Sequence, residues 1–233
     1  MYVPQHFELP EDYTRRLMTA PRSGNLVTVH AHGPEATLVP FYYDEESSSL
    51  VTHLVRNNPQ AGEPLIHPTG LIILDEADAY VSPEWYATND VKPNVPTWDY
   101  ITIHVTGPVT IDPSPSAALE AARRMTHVMG DGDTLEPIGE EKLERMSRAI
   151  VAASVEARMV RGKAKMSQNR HPDDVRSLIA AMEEQGEMKL ARYLRDVSLP
   201  YAEERFATIS RLRGQRQART DLAAAPKIGR AHV

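Results

Sequence analysis

Polar and apolar residues alternate along the first half of the chain and recur at helical spacing along the second. Residues 26–32 place Val27, Val29 and Ala31 on one face and Thr28, His30 and His32 on the other, the period of a strand. Gly33-Pro34 ends it. Residues 36–44 and 49–56 read as two further strands around a polar turn, the second closed by Asn57-Asn58-Pro59. Residues 71–74 form a short continuous apolar run, the pattern of a strand covered on both faces. Ile101, Ile103 and Val105 then alternate with Thr102, His104 and Thr106 in a half-buried strand that runs to 111.

Helical spacing is confined at first to residues 10–17 and then dominates. Ser114-Pro115 has the residues of an N-cap and first helical position, followed by Leu119, Ala122, Met125 and Met129. Leu143, Met146, Ile150 and Val151 mark a second amphipathic helix. Residues 155–160 read as one more strand, residues 162–170 as a polar segment, and residues 173–217 as helix interrupted near Gly186 and Pro200. Strands first and helices later, without regular alternation, predict a mainly β fold with appended helices (α+β), a barrel or sandwich.

Composition narrows the function. The net charge of −6 argues against broad, sequence-independent attraction to nucleic acid. Arg205, Arg211, Arg213, Arg216 and Arg219 nevertheless make the last helix locally basic, so a DNA contact stays open. Without cysteine there is no disulfide, thiolate metal site or cysteine nucleophile. No signal peptide or membrane span is visible, which predicts a cytoplasmic protein. Residues 218–233 read as a disordered tail. Within it, 228–233 (IGRAHV) match what sequencing-adapter DNA encodes and are set aside as a scar.

No phosphate-binding glycine loop, HExxH or GxSxG is present. The chemistry sits in quieter places. Residues 80–100 hold both tryptophans, Trp85 and Trp98, beside Tyr80, Tyr86 and Tyr100, on a backbone stiffened by Pro83, Pro93 and Pro96. Such a loop either walls a planar ligand or plugs the core. His53, Arg56 and Asn58 put a cation and amides at a strand end; Lys163, Lys165, Ser167 and Gln168 put cations, a hydroxyl and an amide in one short stretch. Cations and hydroxyls suit a phosphate, and amides suit a heterocycle edge. Together with the aromatic loop they are the components of a flavin mononucleotide (FMN) site. His30 and His32 share a strand face and are read as solvated rather than metal-bound.

Several stretches, MYVPQHF, HLVRNNPQ, AYVSPEWY, VPTWDY and GKAKMSQNR, resemble the PaiB-type FMN-binding negative transcriptional regulators, in the same order through residue 178. The resemblance implies an FMN-binding split β-barrel over residues 1–178; residues 179–217 are read as a C-terminal helical extension, longer than is usual in the family. It also implies a homodimer with flavin sites at the subunit interface. His53, Arg56, Asn58, Ser82, Trp85, Tyr86, Thr97, Trp98, Lys163, Lys165, Ser167 and Gln168 would then contact the cofactor. The chain departs from the family pattern at Leu38, where many members have histidine, and at Ala61, where many have tryptophan. Some relatives bind haem and close an N–N bond, making piperazic acid from N5-hydroxyornithine. The alternative they imply is haem b with His53, or less readily His104, as the metal ligand. A flavin-dependent oxidoreductase is a third reading.

Overall fold

The computed structural model describes residues 1–224, which form two units: 1–78 with 100–164, and 79–99 with 165 onward. This partition differs from the expected one at 178, because the aromatic loop and the late polar segment group with the C-terminal helices. The expected scar at 228–233 lies outside the described residues.

The first unit is built on antiparallel strands β1 (Arg22–His30), β2 (Gly33–Asp44), β3 (Ser49–Val55), β4 (Thr69–Val81), β5 (Thr97–Asp112), β6 (Ile150–Glu156) and β7 (Met159–Lys165). Their order is β4-β1-β2-β3-β6-β5-β7, and β4 also pairs with β5. That extra pairing closes six strands into a barrel and leaves β7 on the flank of β5. Closure removes the unpaired edges that an open sheet would present. Gly107 lets β5 pass close to the end of β6, since an added Cβ would lie 1.8 Å from the Glu156 carbonyl oxygen.

The buried rows are Leu26, Leu50, Leu54, Ile72, Leu74, Ile101, Ile103, Val105, Val151 and Val155. On β1 this reverses the expected orientation. Thr28 and His30 are buried, whereas Val27 and Val29 are part-exposed. The polar row is tolerable inside because Gln60 reaches it. Its Nε2 donates to the Thr28 hydroxyl (2.8 Å) and to the carbonyls of Leu26 (3.1 Å) and Glu35 (3.2 Å). His30 Nε2 pairs with the same hydroxyl at 2.8 Å. A buried polar group with partners loses most of its desolvation penalty. The solvated-face reading therefore holds for His32, between Glu35 and Glu63, and fails for His30.

Three other expectations are corrected. The run at 71–74 belongs to a longer strand that buries only alternate residues. The second amphipathic helix stops at Ser147, and Ile150 and Val151 open β6. Residues 155–160 span two strands joined by a turn.

Helix α1 (Glu11–Thr19) precedes the barrel, and α2 (Pro59–Gly62) is a single turn capped by Asn58. Helix α3 (Pro115–Val128) starts as predicted, with the Ser114 hydroxyl accepting from Ala117 N–H, and α4 (Glu140–Ser147) packs against it. The second unit carries α5 (Pro172–Glu184), α6 (Met188–Tyr193) and, after a π-helical turn, α7 (Leu199–Ala224). Gly186, at φ +79°, breaks the helical run where expected. Pro200 does not break it and occupies the first turn of α7, where a missing N–H costs nothing. Helix also continues past 218, where a tail was expected. No helix among the described residues is long and apolar enough to cross a membrane.

Candidate cofactor site

Within the second unit the aromatic loop and the late polar segment meet. The loop opens with a 3-10 turn, Pro83–Trp85, capped by the Ser82 hydroxyl, which accepts from Glu84 N–H. Farther along, Thr88 donates its N–H (2.8 Å) and hydroxyl (3.0 Å) to the buried Asp174 carboxylate in the first turn of α5. Arg170 lies over the Tyr86 ring at 4.4 Å and donates to Asn94 Oδ1 at 2.8 Å. The loop is held at several points, as its prolines suggested.

The rings divide between the two roles the sequence left open. Tyr86 is 2 % exposed and is a core residue. Trp98 is 50 % exposed and stands edge-on to the half-exposed Tyr80, ring centroids 6.1 Å apart. An edge-to-face pair of this kind offers a planar apolar wall to a ligand.

Behind Trp98 lies a cluster that the sequence reading did not anticipate. Asp99 is fully buried; its Oδ2 accepts from the Ser167 hydroxyl at 2.8 Å, and Oδ1 lies 3.7 Å from Lys165 Nζ. Burial pushes its pKa from 3.8 up to about 6, against the opposing pull of Ser167 and Lys165. Lys165 also donates to Thr97 Oγ1 (2.6 Å) and to the Trp98 carbonyl (2.5 Å). Ser167 sits in the left-handed region at φ +57°, uncommon without glycine, with its hydroxyl fixed on Asp99. The buried Gln168 accepts from Met166 N–H through Oε1 (2.9 Å). These donors, expected to grip a ligand, lock the backbone on which Trp98 stands. Asp99 was legible as a carboxylate in phase with Ile101, Ile103 and Val105 on the buried face of β5.

The remaining predicted residues belong to the first unit. Lys163 Nζ lies 5.3 Å from the centre of the Tyr100 ring. Arg56 donates to the carbonyls of Arg148 (2.7 Å), Pro113 (2.9 Å) and Ile150 (2.9 Å), so its guanidinium satisfies backbone acceptors. Asn58 caps α2 through Oδ1 and donates to Thr37 Oγ1 at 3.0 Å. His53 lines a cavity beneath α3 and α4. Its Nδ1 is buried without a partner, and burial holds the ring's pKa below the usual histidine value. Haem fits this histidine poorly. A ligating imidazole donates its second N–H to a carbonyl, carboxylate or water, and Nδ1 here meets none of the protein acceptors and is closed to solvent.

Comparison with known proteins agrees with this architecture. Residues 1–159 match the model of a family described as "Putative FMN-binding domain". "Protease synthase and sporulation protein PAI 2" of Bacillus subtilis is 23 % identical over 189 residues, covering 78 % of this chain and 89 % of that protein. Among solved structures, the conserved hypothetical protein Rv2991 from Mycobacterium tuberculosis aligns with a TM-score of 0.51 at 14 % identity. The alignment covers 70 % of this chain and 90 % of that one. The flavocytochrome Anf3 from Azotobacter vinelandii aligns with a TM-score of 0.50 at 14 % identity, covering 67 % of each chain. The barrel is thus the split β-barrel that the motifs implied, and the chain belongs to the PaiB-type FMN-binding family.

Proposed function

We propose that this protein binds FMN as a homodimer and works as a PaiB-type negative transcriptional regulator. The observation that carries the flavin reading is the half-exposed Trp98, edge-on to Tyr80 and locked from behind by Lys165, Ser167 and Asp99. A ring held this way meets a flat heterocycle without the entropy cost of ordering itself first. FMN would supply the isoalloxazine ring, and Trp98 would face it.

Support for the homodimer comes from the reversed orientation of β1. Val27 pairs with Ala36 and Leu71, and Asn25 pairs with Leu38 and Ile73, so these residues share one sheet face. Leu38 on that face is 65 % exposed. A second copy would bury this apolar row, as symmetric interfaces do. The regulatory half of the proposal draws on the exposed Arg211, Arg213 and Arg216 of α7.

Titration with FMN, followed by quenching of flavin fluorescence, tests the flavin reading. The bound form absorbs at about 450 nm. Trp98→Ala should weaken FMN by ~1 kcal/mol, roughly fivefold. Affinity unchanged in that variant, or no FMN uptake by the folded wild type, would refute it.

A further inference from the structure

Helix α3 buries Ala118, Ala121 and Met125, and helical spacing sets Leu119, Ala122, Arg123 and Thr126 together on the adjoining face. That face lines a cavity of about 340 Å3, whose other walls include Leu135, Ile138, Leu143 of α4 and Ile150 of β6. Every lining residue belongs to the first unit. A folded interior holds few voids larger than a water molecule, whereas a volume of this size falls within the range of about 300–1,000 Å3 usual for ligand sites. Leu119, Leu135, Ile138 and Ile150 accordingly keep part of their surface accessible, while the barrel core is closed.

The chamber suits hydrocarbon. Its apolar lining is aliphatic throughout. The Thr126 hydroxyl donates to the Ala122 carbonyl, the Ser147 hydroxyl donates to the Glu144 carbonyl, and His53 Nδ1 is closed to solvent. A polar atom carried deep inside would therefore lose water without full compensation. Charge enters the lining only at Arg123, one turn beyond Leu119 and 38 % exposed at the edge of the chamber. Its guanidinium donates through one Nη to Glu140, which is itself 65 % exposed. Arg123 meets no other acceptor among the described residues, so the rest of its five N–H donors can take a carboxylate. An ion pair this open to water is weak, and a second carboxylate can share it or replace Glu140.

We propose that this chamber binds an unbranched fatty carboxylate, with the hydrocarbon tail inside and the head group on Arg123. The tail covers the part-exposed aliphatic walls, and the carboxylate stays at the solvent edge, where neither charge is stripped of water. The site is independent of the flavin reading, since none of its lining residues comes from the aromatic loop.

The probes are hexanoate, octanoate and octan-1-ol, titrated calorimetrically against the full chain. Octanoate should bind more tightly than hexanoate by about fourfold for each added methylene, the worth of burying that group. It should also bind about fivefold more tightly than octan-1-ol, which has the same tail without the charge. Arg123→Gln should keep octan-1-ol binding and lose the preference for the carboxylate. Glu140→Gln, which removes the competing carboxylate, should tighten octanoate and leave octan-1-ol unchanged. Ala122→Phe, which fills the chamber, should abolish binding of both. In the wild type, octanoate should shift the Met125 methyl resonance, a readout that survives should Ala122→Phe fail to fold. The proposal fails if the wild type binds none of the probes, if affinity ignores chain length, if the carboxylate preference persists in Arg123→Gln, or if the Met125 methyl does not move. Displacement of octanoate by FMN would assign the chamber to the flavin and equally overturn it. Failure of the Trp98→Ala experiment, by contrast, would leave these outcomes unchanged.

Discussion

Asp99 gives the sharpest quantitative prediction. A carboxylate whose pKa rises from 3.8 to about 6 is harder to ionise in the folded chain by ~3 kcal/mol, at ~1.4 kcal/mol per tenfold. Between those two values the native state holds a proton that the unfolded state has released. Its stability therefore rises as pH falls from about 7 towards about 4 and levels off below. His53 and His104 work in the opposite sense, because burial lowers their pKa values and unfolding at acid pH lets them take up protons. Asp99→Asn isolates the carboxylate. It keeps an oxygen for the Ser167 hydroxyl, and Lys165 retains Thr97 and the Trp98 carbonyl. Urea unfolding followed by tryptophan fluorescence suits the test, since Trp85 and Trp98 lie in the same unit as Asp99. The variant should gain on the wild type at about pH 7.5, and the difference should shrink by ~2 kcal/mol on moving to about pH 4.5, the rest of the ~3 kcal/mol being reached only below the unfolded pKa. A stability difference independent of pH would show that Lys165 and Ser167 fully offset the burial of the charge.

Two further substitutions probe the barrel. Thr28→Val removes the hydroxyl shared by His30 and Gln60, stranding His30 Nε2 in the interior, and should cost ~1–3 kcal/mol in chemical denaturation; a neutral result would mean the network contributes nothing. Leu38→Glu places a charge in the exposed apolar row and should convert a dimer into monomers by light scattering, with the circular dichroism spectrum unchanged.

The sequence showed which segments meet more clearly than what each side chain does there. The strands β1 to β5 were visible in the pattern of the chain, whereas β6 and β7 were not separated, and the aromatic loop and residues 165–168 do come together. Alternation shows that a strand has two faces, and apolarity ordinarily names the inner one. On β1 it named the wrong one, because Gln60, distant in sequence, supplies the hydrogen bonds that let Thr28 and His30 turn inward. The roles of Lys165 and Ser167 were hidden for a related reason. Donor-rich residues read as ligand-binding until a buried acceptor is known, and Asp99 becomes that acceptor only once β5 is in register.

The reversed β1 ties the interior to the outer surface. A barrel strand that spends its inward positions on Thr28 and His30 must turn Val27 and Val29 outward, beside Ala36 and Leu38. Over β3 and β6, α3 supplies the cover. Over β1 and β2 the row that carries Leu38 stays open to solvent among the described residues. The polar network inside and the proposed contact outside are thus two consequences of one choice of strand orientation. Leu38→Glu and Thr28→Val address it from opposite faces of the same sheet. If Thr28→Val weakened the dimer as well as the fold, the inner network would be what holds the outer face in shape.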